Sequence, residues 1–318
     1  MNTILQYLPL TLSLLLAIVP VSVRTEEALE DPTPEHPVKP MLWKIEGEDL
    51  QQPSYLFGTI HLGGGPLDHL HPAAEKAFKE ATLVLTEIPF DDKTQFGIVA
   101  KIMRDDGKTL SQSIGPDLSQ KLDEELRAIN RALNSRPFQA MRTWAIAVML
   151  PQLESQLAGD TAMDKMIWDR AVKDGKETDA METAEFQVGL FDAFTEAEQV
   201  TLLSVTLRIL REERAEGKNT VRELTDAYIQ GDAELIKRMM EASYQEMREG
   251  PEKELGEKFY DILLTQRDET MAATIVERLK AAPDTVHFFA AGTAHFTGEN
   301  SIPSHLEKAG YRIIRVEE

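Results

Sequence analysis

Tyr55-Leu56-Phe57-Gly58-Thr59-Ile60-His61-Leu62-Gly63-Gly64 and, near the other end of the chain, Val286-His287-Phe288-Phe289-Ala290-Ala291-Gly292-Thr293-Ala294-His295-Phe296-Thr297-Gly298 follow one plan. Each is an apolar, strand-like run that ends in Gly-Thr-x-His-x-x-Gly. One local geometry delivered twice points to a composite site built from both ends of the chain. In an open, largely parallel sheet, functional groups gather at the carboxyl ends of strands. Gly58 and Gly292 are expected to turn the chain sharply there, since glycine has no Cβ penalty. The histidine three residues on would then project over the sheet edge.

Working outward, Leu42-Trp43-Lys44-Ile45 alternates as a strand, and Thr82-Leu83-Val84-Leu85-Thr86 is the continuous run of a strand buried on both faces. Glu87 ends that run and so reaches the same edge. Tyr311-Arg312-Ile313-Ile314-Arg315-Val316 is a last strand, preceded by a helix around Ser304 to Ala309. From Pro116 to about Leu279 the spacing is helical, as in Leu118, Leu122, Leu126, Ile129 and Leu133. Thr195 with Glu196 and Glu198 reads as a capped, acidic helix start. Gly175 to Glu182 interrupts the block as a short strand ending in a carboxylate. The fold class expected is therefore α/β (α+β). A central mixed, largely parallel sheet forms from both chain ends, with flanking helices and a large helical insertion over about residues 116–280 that serves as a cap.

Composition bounds the function. The 318 residues can bury a large core, and 42% hydrophobic with 28% charged is ordinary for a globular protein. A formal charge of −20 leaves no basic stripe for phosphates, which argues against nucleic-acid partners. The absence of cysteine excludes disulfides, thiolate metal sites and cysteine nucleophiles. Ile4 to Val23 is apolar, with Leu12 to Val19 as its centre and Arg24 as the first charge. A secretory signal peptide over residues 1–23 is the first reading and an uncleaved N-terminal anchor the second. Either makes the body secreted or periplasmic, with membrane association only through this segment. Residues 24–40, rich in Glu and Pro, read as a disordered spacer, and the folded domain as residues 41–318.

His61, His295 and Glu87 make a two-histidine, one-carboxylate set that suits Zn²⁺, Mn²⁺ or Fe²⁺. An ion held there would make water nucleophilic and polarise a carbonyl. His69 and His71, in a Gly/Pro-rich loop near His61, are either further ligands or solvent-exposed loop residues. His287 lies inside a strand and belongs to the core. Arg267 is a surface ion-pair residue unless it faces the sheet edge, where it would hold charge on a substrate or oxyanion. Glu182 and Glu185 are either catalytic carboxylates or helix N-terminal charges. Trp144 and Trp168 read as packing. No P-loop, dinucleotide fingerprint, Gly-x-Ser-x-Gly or His-Glu-x-x-His is present.

The chain resembles the TraB/PrgY/GumN family, which includes the animal Tiki proteins. The resemblance rests on Tyr55 to His61, on Thr86-Glu87, on Met181-Glu182-Thr183-Ala184-Glu185-Phe186-Gln187, on Gln266-Arg267-Asp268-Glu269-Thr270-Met271-Ala272, and on Gly292 to His295 followed by Leu306 to Tyr311. These matches come in family order over about residues 41 to 317. The resemblance implies a fold related to the erythromycin-esterase and ChaN-like proteins. From the Tiki branch it implies a metal-dependent protease in which His61, His295, Glu87 and Arg267 are needed. The PrgY branch implies peptides as partners. Two positions depart from the pattern: Asp268 stands where Asn is expected, and Thr293 where many relatives carry another small residue.

The expectation is thus a secreted or periplasmic metal-dependent hydrolase, a peptidase acting on a peptide or small-molecule substrate. Its cofactor would be a divalent metal (Mn, Co or Zn), and its catalytic set His61, Glu87, Arg267, His295 and Glu182. The alternatives are a metal-free esterase-like hydrolase with His61 as base and a non-enzymatic peptide- or haem-binding protein.

Overall fold

The computed structural model describes residues 34–249 and 252–317. The apolar segment Ile4 to Val23 lies outside them, and among the described residues no helix is long and apolar enough to cross a membrane. Six strands form one sheet: β1 (Leu42–Glu46), β2 (Ser54–Thr59), β3 (Leu83–Thr86), β4 (Glu177–Ala180), β5 (His287–Gly292) and β6 (Arg312–Val316), in the order β4-β3-β5-β2-β1-β6. β1 is antiparallel to both neighbours, while β2, β5, β3 and β4 run parallel. The sheet is therefore mixed, largely parallel and made from both chain ends, as the two apolar runs lead one to expect. Thr59 is paired with Gly292, so the two repeated phrases leave adjacent parallel strands at the same level.

Period-two alternation sends each strand's side chains to opposite faces. On one face Phe57, Val84, Phe288 and Ala290 pack with α1 (Pro72–Glu80) through Phe78, and the rings of Phe288 and Phe78 meet edge-on at 5.5 Å. Such a ring contact adds about 0.5–1.5 kcal/mol beyond area burial. The helical region supplies the rest of both layers. It comprises α2 (Asp92–Ile102), α3 (Leu110–Ile129), α4 (Thr143–Met149), α5 (Leu153–Ala158), α6 (Met163–Lys173), α7 (Ala184–Gly189), α8 (Glu196–Glu216), α9 (Thr220–Gln230), α10 (Ala233–Glu249), α11 (Lys253–Tyr260) and α12 (Gln266–Ala281). α6 and α9 join the Phe57 face through Ile167, Leu224 and Tyr228. α12 covers the other face with α13 (Ile302–Lys308), packing Met271, Ile275 and Leu306 on Leu56, Leu85 and Phe289.

The helical block is therefore not simply a cap. Its helices α6, α9 and α12 build the flanking layers. Others, including α3, α4 and α8, close a separate all-helical core where Trp144 stacks on Phe191 at 4.1 Å. Thr195 caps α8 in a capping box with Glu198, as its sequence indicates. α3 begins at Leu110, before Pro116, behind a second capping box of Thr109 and Gln112. Gly115, at φ 77°, kinks the helix ahead of the proline. Of the proline-rich stretch before β1, Pro37 and Pro40 are buried, and the Val38 N–H donates to the Ile229 carbonyl at 2.6 Å.

Candidate active site

Each of four parallel strands hands one side chain to the same edge: His61 follows β2, His295 follows β5, Glu87 follows β3 and Glu182 follows β4. Arg267 comes from the first turn of α12. The structure thus brings together all five sequence-predicted residues, none more than 6% exposed. Glu185 is exposed and stays out of the cluster. His69 is exposed, and His71 caps α1 by accepting the Ala73 N–H. His287 is buried in β5 against the Ser54 hydroxyl.

The glycines act differently from the sequence expectation. Neither Gly58 nor Gly292 has a positive φ; Gly58 lies within β2, and Gly292, at φ −55°, ends β5. The turn is made by His61 itself, at φ 58°, the one non-glycine residue in that region among the described residues. An L-residue held there stores strain, a recurrent property of functional positions. The glycines supply room instead. A Cβ on Gly292 would lie 2.4 Å from His61 Nε2, and a Cβ on Gly58 would lie 2.8 Å from Thr293 Oγ1. Each phrase makes space for the other. Thr293 also donates its hydroxyl to the Thr59 carbonyl at 2.7 Å, which ties the two turns together.

At the centre lies the Glu87 carboxylate. Its Oε1 accepts the Gly292 N–H at 2.7 Å and stands 3.5 Å from His61 Nε2 and 3.7 Å from His295 Nε2. Its Oε2 accepts from Arg267 Nη2 at 2.6 Å and from Gln187 Nε2 at 3.1 Å. Arg267 also donates through Nε and Nη2 to Glu182 Oε2 at 2.9 and 2.7 Å, and its Nη1 points at His295 Nε2, 3.3 Å away. Glu182 Oε1 is buried with no hydrogen-bond partner. A π-turn over Asp261–Thr265 immediately precedes α12. It shifts the phase of the helix that follows, and Arg267 and its neighbour Asp268 are both buried against the site.

Sequence reasoning missed three contributors to this geometry. Asp164, in the first turn of α6, takes His61 Nδ1 at 2.7 Å. Asp268, which reads in the sequence as a surface-pairing residue and a departure from the family pattern, takes His295 Nδ1 at 2.6 Å. Gln187 bridges the two glutamates. Nothing in the residues around Asp164 distinguishes it from other helix-start acids.

The electrostatics follow from this packing. Burial alone would push the Glu87 carboxyl up, but Arg267, then the two imidazoles and the Gly292 N–H, hold it well below the usual carboxylate range. Burial works against a proton on His61, yet Asp164 and Glu87 raise it to about 9. Burial raises Asp268.

Among the described residues no group of three or more His, Asp or Glu side chains is arranged to hold a metal ion. Each Glu87 oxygen accepts a hydrogen bond, and the Arg267 guanidinium stands beside His295 Nε2.

Comparison with known proteins supplies the context. A metalloprotease TIKI homolog of Nematostella vectensis is 22% identical over 89% of this chain and 68% of its own length. Metalloprotease TIKI1 of Danio rerio is 22% identical over 88% and 64%, and that of Homo sapiens 21% over 86% and 61%. The chain thus spans about two thirds of the length of these relatives or somewhat less. No solved structure matches it significantly. A sequence model of the TraB/PrgY/gumN family matches residues 41–315, nearly the whole described region and every site residue above. The chain belongs to the TraB/PrgY/gumN family.

Proposed function

We propose that the chain is a metal-dependent hydrolase of the metalloprotease type, acting on peptides or small molecules at the centre formed by His61, His295, Glu87, Glu182 and Arg267. One observation carries the reading: the imidazoles of both repeated phrases converge on one carboxylate oxygen, Glu87 Oε1, at 3.5 and 3.7 Å. Relatives named metalloproteases support the reaction class.

The donor types fit a divalent ion. Two imidazoles turn Nε2 inward while a carboxylate holds each Nδ1, the arrangement that orients histidine ligands. Four buried carboxylates, Glu87, Glu182, Asp164 and Asp268, face a single buried guanidinium. That excess of negative charge is what a cation offsets. His61, His295 and Glu87 would hold the ion, which supplies Lewis acidity for a scissile carbonyl and for water at neutral pH. Binding requires His61 to release its Nε2 proton, so affinity rises with pH.

The chain's own groups then divide the work. Glu87, ionised, is held at Oε2 by Arg267 and Gln187, while its Oε1 accepts only the Gly292 N–H and faces the two imidazoles. Glu182 Oε1 is the carboxylate oxygen left free to accept a proton from water. Arg267 Nη1, engaged only at 3.3 Å, is the donor available to a developing oxyanion. Because every one of these groups is buried, substrate reaches them only when the surrounding turns move. An extracytoplasmic location is part of the proposal and rests on the Ile4 to Val23 pattern alone.

The metal-free alternative needs His61 as a base, which conflicts with a proton affinity raised to about 9 by Asp164 and Glu87. The haem alternative needs a slot for a macrocycle between imidazoles that here share one carboxylate oxygen. Hydrolysis of a peptide library, assayed with and without chelator beside His61→Ala, tests the function. Chelator-sensitive cleavage that His61→Ala abolishes supports it; cleavage indifferent to both overturns it.

A further inference from the structure

The doubled histidine phrase is matched by a doubled partner. Asp164 Oδ2 lies 2.7 Å from His61 Nδ1, and Asp268 Oδ1 lies 2.6 Å from His295 Nδ1. Both aspartates are buried, at 1% and 5% exposure, and both come from helices packed on the sheet, one per face.

Neither contact is incidental to packing. The Asp164 carboxylate is itself aimed, since its Oδ1 accepts the Thr59 hydroxyl at 2.8 Å, two residues before the histidine it serves. The start of α6 is locked to the turn after His61. The Met163 N–H donates to the Leu62 carbonyl at 2.9 Å, and a Cβ on Gly63 would lie 2.0 Å from the Thr161 carbonyl oxygen. Backbone meets backbone there, and only glycine at position 63 permits it. On the other side, Asp268 is adjacent in sequence to Arg267, so one helical turn delivers both the guanidinium and the histidine's partner.

We propose that Asp164 and Asp268 are a matched pair of positioning residues that fix His61 and His295 in the Nδ1–H tautomer, so that both rings present Nε2 to Glu87. The inference rests on the reading that these two histidines are the working groups of the site. An ionised carboxylate only accepts, and the aspartates at 2.7 and 2.6 Å from Nδ1 are nearer than Glu87 Oε1 at 3.5 and 3.7 Å from Nε2, so the proton of each neutral ring sits on Nδ1. This matters most at His295. With Nδ1–H held by Asp268, Nε2 is left as an acceptor facing Arg267 Nη1.

The test is a two-bond ¹H–¹⁵N spectrum of the chelator-treated full chain, at a pH where both rings are neutral. Asp164→Ala and Asp268→Ala are compared with the Asn variants, and peptide cleavage is measured in parallel. In wild type both histidines are expected as Nδ1–H tautomers. Each alanine variant shifts its own histidine toward Nε2–H and leaves the other unchanged, while the asparagine variants retain much of the wild-type pattern. Where cleavage is measurable, kcat falls about 10- to 100-fold in the alanine variants with KM little altered. An Nε2–H tautomer for either histidine in wild type overturns the proposal and needs no variant to fold. So does an alanine variant that folds and leaves its histidine unmoved. If wild type cleaves nothing, the hydrolase reading fails, while the spectrum still decides the positioning claim.

Discussion

A Cβ placed on Gly292 would stand 2.4 Å from His61 Nε2, closer than any side-chain carbon approaches a nitrogen in a relaxed structure. Neither partner can yield. The His61 ring is held by Asp164 at 2.7 Å, and Gly292 is paired with Thr59 and donates its N–H to Glu87. Gly292→Ala is therefore expected to cost about 1–3 kcal/mol as overpacking. It should cost activity far more, about 100-fold for an ångström of ring displacement. Gly97→Ala is the control. Gly97 lies exposed within α2, where an added Cβ meets nothing, and the change should stabilise by about 0.5–1 kcal/mol. Urea unfolding and peptide cleavage of both variants check this, and a fully active Gly292→Ala contradicts it.

Arg267 is buried between Glu87 and Glu182, to which it donates at 2.6 to 2.9 Å. Removing it leaves two buried carboxylates facing each other. Arg267→Ala should destabilise by about 3–5 kcal/mol. Adding Glu182→Gln removes one of the stranded charges, so the double variant should be more stable than Arg267→Ala alone. Denaturant midpoints of the three proteins decide it, and a double variant less stable than the single contradicts this account of the charge balance.

Away from the site, Glu75 of α1 and Arg170 of α6 form a bidentate pair at 2.6 and 2.5 Å. The Arg170 hydrogen bonds, helped by Lys79, lower the Glu75 carboxyl to about 2 from an ordinary 4.5. The folded pKa is depressed, so the stabilisation is present above pH 4.5 and lost as pH falls toward 2. For a half-buried pair it amounts to about 1 kcal/mol. Wild type should exceed Glu75→Gln by that margin near neutrality and converge with it in acid. A difference that grows on acidification contradicts the assignment.

How far the fold could be read in the sequence depended on range. Strands buried on both faces are apolar on both, so Tyr55 to Phe57, Thr82 to Thr86 and Val286 to Ala291 announced themselves. Their lateral order did not. β5 inserts between β2 and β3 through pairings such as Leu56 with Phe289 and Leu85 with Phe289, which no local pattern encodes. His61, Glu87 and His295 were legible because each ends such a run. Asp164 was not, being one of 54 acidic residues in an ordinary helix start. The role of Gly292 was misread for a related reason: a missing Cβ is needed there against a side chain more than two hundred positions away, not against its own backbone.

The central claim is that His61, His295 and Glu87 form a divalent-metal centre for hydrolysis. Metal content tests it most directly, by elemental analysis of the purified full chain after loading with Mn, Co or Zn and removal of excess. The control is the double variant His61→Ala/His295→Ala, with its fold checked by circular dichroism. The account predicts stoichiometric metal in wild type and none in the folded double variant. A wild-type chain that takes up no divalent metal, or a double variant that keeps it, contradicts the account.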